Sequence, residues 1–131
     1  MNCIIVDDEE LARAIIYQFA TKDPHISESK EFDSGIAAIK YLNTNPKVDL
    51  IFLDIHMPGF NGFDFIQTIN SEAKIVLTTS DKNFAIQAFE YNAIVDYLVK
   101  PITEERFQKA IQKALDKKPN EVSSNANEKT T

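Results

Sequence analysis

The sequence predicts an α/β fold, a (βα)5 doubly wound sheet of five parallel strands, and three observations lead there. Five short strand-like segments each precede a stretch whose apolar side chains recur at helical spacing. Most of these segments lack polar alternation, as expected of strands covered on both faces. Four of them end in chemistry: Asp7-Asp8, Asp54, Thr78-Thr79 and Lys100. In open parallel sheets, ligands bind beyond the carboxyl ends of the strands, so these residues are expected to share one edge.

Taken in order, residues 2 to 6 are apolar apart from Asn2 and stop at Asp7 and Asp8. Leu11, Ile15, Ile16 and Phe19 then recur with helical spacing, with Asp8 as the expected N-cap, until Asp23-Pro24 ends the helix. Residues 26 to 33 are polar enough for an edge strand. Ser34 caps a second helix carrying Ile36, Ile39, Tyr41 and Leu42, closed by the turn at residues 43 to 46. Residues 50 to 53 form the most continuous apolar run near the middle and belong at the sheet centre, with Asp54 at their end. A loop containing Pro58, Gly59 and Gly62 leads into a helix with Phe63, Phe65, Ile66 and Ile69. Residues 75 to 77 make a fourth strand that finishes in Thr78, Thr79 and Ser80. Asp81 is the expected N-cap of a helix with Phe84, Ile86, Ala88 and Phe89. A fifth strand, residues 95 to 99, is interrupted by Asp96 and Tyr97 and broken by Lys100-Pro101. Thr103 starts a last helix on which Phe107, Ile111 and Leu115 form an i, i+4, i+8 row.

A chain of 131 residues has room for one domain, expected over residues 1 to 118. Residues 119 to 131 contain too little apolar side chain to form a core and read as a disordered tail or interdomain linker. No apolar run approaches a membrane span, and the first residues lack the basic start of a signal peptide, so a cytoplasmic location is expected. The formal net charge of −6 opposes direct nucleic-acid binding by this segment, because such affinity comes from clustered Lys and Arg. The single cysteine, Cys3, lies in an apolar run and is expected to be a buried thiol.

The strand-end residues have a chemical logic together. Three carboxylates drawn close repel one another, and each pKa would rise unless a cation neutralised the site. A hard divalent ion follows. Mg2+ is the best match, held by a carboxylate of the Asp7-Asp8 pair, Asp54, a backbone carbonyl just after it and solvent. Ca2+ is less suited, since the ligands do not come from one compact loop, and the two histidines, His25 and His56, offer no transition-metal set. Beside such an ion Asp54 is placed to attack phosphorus in line, with Lys100 stabilising oxygens that gain charge and Thr79 hydrogen-bonding another.

Asp7-Asp8 after the first strand, Asp54 followed by Ile-His-Met-Pro-Gly, Thr79 after the fourth strand, Tyr97 in the fifth and Lys100-Pro101 after it together resemble the receiver domain of two-component response regulators. The resemblance covers residues 2 to about 117. It implies a flavodoxin-like sheet with strand order 2-1-3-4-5. It further implies Asp54 as phosphoacceptor, Asp8 and the carbonyl of His56 as direct Mg2+ ligands, and Asp7 as a ligand through water. Lys100 would bind the phosphoryl group and precede a cis proline, and Thr79 with Tyr97 would form a switch pair. The implied partners are a histidine kinase and a second copy of the chain, docked through the fourth helix, fifth strand and fifth helix. Such a domain is a phosphoacceptor with self-catalysed phosphotransfer and slow autodephosphorylation, not an enzyme acting on a separate substrate.

Residues 78 to 80, 88 to 93 and 96 to 98 resemble the subgroup whose receivers precede a LytTR-type DNA-binding domain, which implies output in transcription regulation. Two departures stand out. Residues 92 to 97 run one residue longer than that pattern, and Ser80 stands where a smaller residue is common. His56 and Asp81 flank the same opening and are candidates for tuning the life of an aspartyl phosphate. Three other readings exist: a stand-alone receiver, an Mg2+-dependent hydrolase using Asp54 on phosphomonoesters, and a phosphate-independent interaction module. The hydrolase would need an acid for the leaving oxygen, yet His56 holds the second position after Asp54 and no insertion is long enough for a cap.

Overall fold

The computed structural model describes residues 1 to 117 except 70 and 89. The side chains of Phe84 and Ile86, and Phe89 altogether, lie outside the described residues. So do Lys118 and the expected tail at residues 119 to 131. Five strands, β1 (Asn2–Val6), β2 (Glu28–Phe32), β3 (Leu50–Asp54), β4 (Lys74–Thr79) and β5 (Ile94–Val99), make one parallel sheet in the order β2-β1-β3-β4-β5. Between and after them run α1 (Glu10–Lys22), α2 (Gly35–Thr44), α3 (Gly62–Thr68), a 3-10 turn (Lys82–Phe84) followed by α4 (Ala85–Ala88), and α5 (Glu104–Asp116).

Alternate residues of β1, β3 and β4 enter two separate cores, which is the double winding. Ile4, Val6, Ile51, Leu53, Ile75 and Leu77 meet Ala38 and Leu42 of α2 and Phe63 and Phe65 of α3 on one face. Cys3, Ile5, Leu50, Phe52, Val76 and Leu98 meet Ile16 and Ala20 of α1 and Phe107, Ala110, Ile111 and Ala114 of α5 on the other. Cys3 is buried, and burial pushes its thiol pKa up. Phe107 is the keystone of this second core, stacked on Phe52 at 5.2 Å and edge-on to Phe19 at 5.7 Å. Phe107→Ala is expected to lower unfolding free energy by about 3–5 kcal/mol, as a large cavity in a closed site would. Chemical denaturation checks this.

The structure alters several details of the expected pattern. Leu11, Ile36 and Leu115 sit at the margins of the apolar rows and remain 75%, 61% and 37% exposed. Ser34 and Thr103 cap α2 and α5 as expected, each hydroxyl accepting a backbone N–H. Asp8 does not cap α1. The N-cap is Glu9 with no side-chain bond, because Asp7 makes the turn instead, its Oδ1 accepting the Glu9 N–H at 2.8 Å. Asn61, which the sequence reading passed over, caps α3 in a reciprocal pair with Asp64. Asp81 Oδ1 accepts from Asn83 N–H and so starts the 3-10 turn rather than a long helix.

Strand β5 is continuous through Asp96 and Tyr97. Asp96 is buried there because Arg106 of α5 grips it with two hydrogen bonds of 2.9 and 2.8 Å, and Lys113 adds a third at 3.1 Å. Burial pushes the carboxyl pKa up, but these cations and the Tyr97 N–H outweigh it and hold Asp96 below the usual carboxylate range. The strand carries one irregularity: Ile75 faces Ile94 while Val76 faces Asp96, so Val95 bulges out of register.

Candidate functional site

Register brings the polar strand ends together. Val6 lies opposite Leu53, Asp54 opposite Thr78, and Thr79 opposite Val99, so Asp7, Asp54, Thr79 and Lys100 emerge along one edge of four neighbouring strands. Asp54 is 2% exposed, at the end of a strand buried along its whole length. The turn after it is drawn tight: the Gly62 N–H donates to the Ile55 carbonyl at 2.7 Å. A Cβ on Gly62 would stand 3.0 Å from both the Asp54 carbonyl oxygen and Ile55 Cα, and backbone there has no freedom to yield. Gly59 supplies the left-handed conformation, φ 71°, that the same loop needs.

Lys100 reaches the acids from β5. Its Nζ lies 2.8 Å from Glu9 Oε1, 2.9 Å from Asp7 Oδ2 and 3.6 Å from Asp54 Oδ2. Burial works against its charge, yet the three carboxylates together hold its pKa above the ordinary lysine value. The Lys100-Pro101 peptide is cis, as the resemblance implies. Lys100 lowers the pKa of Glu9 through a hydrogen bond and through its charge.

For Asp54 the balance goes the other way. Burial and the neighbouring charge of Asp7 raise its pKa from 3.8 to about 7, against the opposing pull of Lys100 and of the His56 N–H, which donates to Asp54 Oδ1 at 3.3 Å. One ammonium is thus too little for the acids around it. Asp7 Oδ2 is buried, and its contact with Lys100 does not have hydrogen-bond geometry. Ligand oxygens of Asp7, Glu9 and Asp54 all lie within 4.8 Å of one another. A cluster of hard oxygen donors with surplus negative charge and an unsatisfied buried oxygen fits a divalent ion such as Mg2+.

Of the residues singled out from sequence, the structure brings Asp7, Asp54 and Lys100 together. Asp8 is exposed and outside the three-carboxylate group, and His56 is exposed while its backbone contacts Asp54. Glu9 was missed. Its signal was present as the third acid of an Asp-Asp-Glu run at a helix start, but capping explained the run equally well. Thr79 is fully buried, and its hydroxyl accepts the Asp81 N–H at 3.0 Å. The Tyr97 hydroxyl donates to the carbonyl of the same Asp81, so one backbone residue links Thr79 to Tyr97.

Comparison with known proteins points to one family. Residues 3–112 match the family model described as the response regulator receiver domain. The chain is 35% identical over 132 residues to the sensory transduction protein LytT of Enterococcus faecalis, covering 98% of this chain and 54% of that protein. It is 37% identical over 126 residues to LytR of Staphylococcus epidermidis, covering 92% and 49%. Against the transcriptional regulatory protein YpdB of Escherichia coli it is 37% identical over 116 residues, covering 86% and 47%. The chain therefore spans about half the length of these relatives. Among solved structures, the response regulatory domain of mrkE from Klebsiella pneumoniae superposes with a TM-score of 0.76 at 34% identity, covering 88% of this chain and 95% of that one.

Proposed function

Since the chain belongs to the response regulator receiver family of two-component systems, we propose that it accepts a phosphoryl group from a histidine kinase onto Asp54, with Mg2+, and converts this into a changed partner surface. The observation that carries this reading is the buried Asp54 carboxylate with Lys100 Nζ 3.6 Å away and Asp7 beside it. Asp7, Glu9 and Asp54 present the clustered oxygens that would hold the ion, and the receiver resemblance adds Asp8 and the His56 carbonyl as further ligands. Bound there, Mg2+ supplies charge that neutralises the acids and the phosphoryl oxygens.

The chain's own groups carry the transfer. An Asp54 oxygen forms the bond to phosphorus as the bond from phosphorus to the donor breaks, the electron pair leaving with the donor's nitrogen or oxygen. Lys100, charged throughout the physiological range, is close enough to follow the new phosphoryl oxygen. The Thr79 hydroxyl is the reporter: while it accepts the Asp81 N–H it has a proton to donate to a phosphoryl oxygen, and its turn toward that oxygen pulls on the bond to Asp81. Because Asp81 also receives the Tyr97 hydroxyl, that turn loosens the hold on Tyr97 and alters the face of α4, β5 and α5.

Incubation with acetyl phosphate and Mg2+ should add one phosphoryl group by intact mass, and neither EDTA-treated protein nor Asp54→Asn should gain it. A wild type that is never modified, or an Asp54→Asn protein modified equally, defeats the assignment. The domain is proposed to occupy residues 1 to 118, with 119 to 131 as a linker toward an output domain controlling transcription. The naming of YpdB as a transcriptional regulatory protein and the half-length coverage of the relatives support that output. The α4-β5-α5 face is the proposed homodimer surface. Light scattering with beryllofluoride and Mg2+ should then show a doubled mass, and an unchanged monomer counts against it.

A further inference from the structure

We propose that Arg13 is a positioning residue for the acidic turn, one that fixes the Asp7 backbone so that this turn presents its carboxylates to the cation. The inference rests on the Mg2+ reading of the same site. Arg13 closes the first turn of α1, its N–H bonded to the Glu9 carbonyl at 3.0 Å. Its Nη1 donates to the Asp7 carbonyl at 2.8 Å, and its Nε lies 3.3 Å from Glu31 Oε1 on β2. Only 17% of the side chain is exposed.

The contact completes a closed set of constraints around Asp7. The Asp7 N–H donates to the Phe32 carbonyl of β2, Oδ1 receives the Glu9 N–H, and Oδ2 faces Lys100. The remaining polar group is the carbonyl, and Arg13 takes it while anchoring to the residue before Phe32. Because the α1 N-cap makes no side-chain bond, the guanidinium joins the Asp7 Oδ1–Glu9 N–H bond in tying the start of the helix to the end of β1, and it adds a tie to β2 through Glu31. Partners that orient a metal's ligands without touching the metal commonly change its affinity by about 10–100-fold when removed. A single ammonium cannot span two acceptors as the planar fork does, so lysine is a poor replacement.

Electrostatics and positioning predict opposite signs. Removing a nearby cation should tighten Mg2+ binding if charge were the whole effect. If Arg13 positions the turn, Arg13→Ala should weaken Mg2+ binding by about 10-fold or more, measured calorimetrically with MgCl2 alone. Arg13→Lys, which keeps the charge, should remain clearly weakened, whereas Glu31→Gln should stay within about 3-fold of wild type because it disturbs only the exposed end. In metal-free protein, Arg13→Ala should speed hydrogen exchange of the Glu9 amide, which is bonded to Asp7, by about 10-fold relative to amides of the α5 core. Should Arg13→Ala not fold, Arg13→Gln and Arg13→Lys enter both measurements in its place. Unchanged or tighter Mg2+ binding overturns the inference, as does an unaltered Glu9 exchange rate. A wild type that binds no Mg2+ counts against the proposed function instead, and the exchange experiment then decides the role of Arg13 by itself.

Discussion

Asp54→Asn is expected to be more stable than the wild type above pH 7, by on the order of 4 kcal/mol, and the difference should vanish as the pH falls toward 4. The carboxyl pKa is 3.8 without its folded surroundings and about 7 within them, raised first by burial and then by Asp7. Between those values the native state binds a proton that the unfolded chain has released, so the group's contribution is fully favourable below pH 4 and is lost as pH rises through 7. At about 1.4 kcal/mol per pH unit, the interval gives the stated size. Asparagine keeps the shape and carries no charge to bury. Urea titrations across pH 4 to 8.5 measure the difference; a variant less stable than wild type at pH 8 would contradict the burial argument. Mg2+ sharpens the test. It should raise wild-type stability most at high pH, where Asp54 is ionised, and should do little for the variant.

The site was only partly legible in the sequence. The central run that ends in Asp54, and the lysine before Pro101, are marked by chain position, and parallel strand register carries them to a common edge whatever their neighbours are. The two cores were legible for the same reason, since β1 and β3 show unbroken apolar runs and strand pleating divides them between faces. Helix margins were not. Leu11 and Ile36 satisfy the helical period, yet each lies in the first turn of its helix and stays largely exposed. The acidic turn was the hardest part, because Asp7, Asp8 and Glu9 are chemically equivalent letters. Which of them turns inward is set by the Asp7–Glu9 turn and by Lys100, a contact 91 residues away in sequence from Glu9. Arg13 gave no signal at all, as its use depends on Glu31 and on a carbonyl. Asp96 seemed to break β5 until its partners on α5 were seen to neutralise it.

Lys100→Met should have the larger consequence for the site as a whole. Methionine keeps the length and apolar stem of the side chain but removes the cation that, among the described residues, Asp7, Glu9 and Asp54 share. The Lys100 side chain is 11% exposed and those of Asp7 and Asp54 are 1% and 3% exposed, so water does not replace it between those two acids. Removing one member of a buried charge set typically costs about 3–5 kcal/mol, because the charges left behind stay desolvated and unpaired. The loss should be greatest at pH 8, where lysine would still be charged and Asp54 ionised. It should shrink toward pH 5, since a proton on Asp54 does what the ammonium did and the Asp54 pKa rises further without it. Asp54→Asn in the same chain should restore much of the stability, a non-additive result diagnostic of direct coupling. Phosphorylation by acetyl phosphate should slow by about 10²-fold or more even at saturating Mg2+, since no mobile cation remains to follow the transferred oxygens. A Lys100→Met protein that matches wild type in stability at pH 8, or whose defect Asp54→Asn fails to relieve, would show that the ammonium is solvated and that the acids are neutralised by some other group.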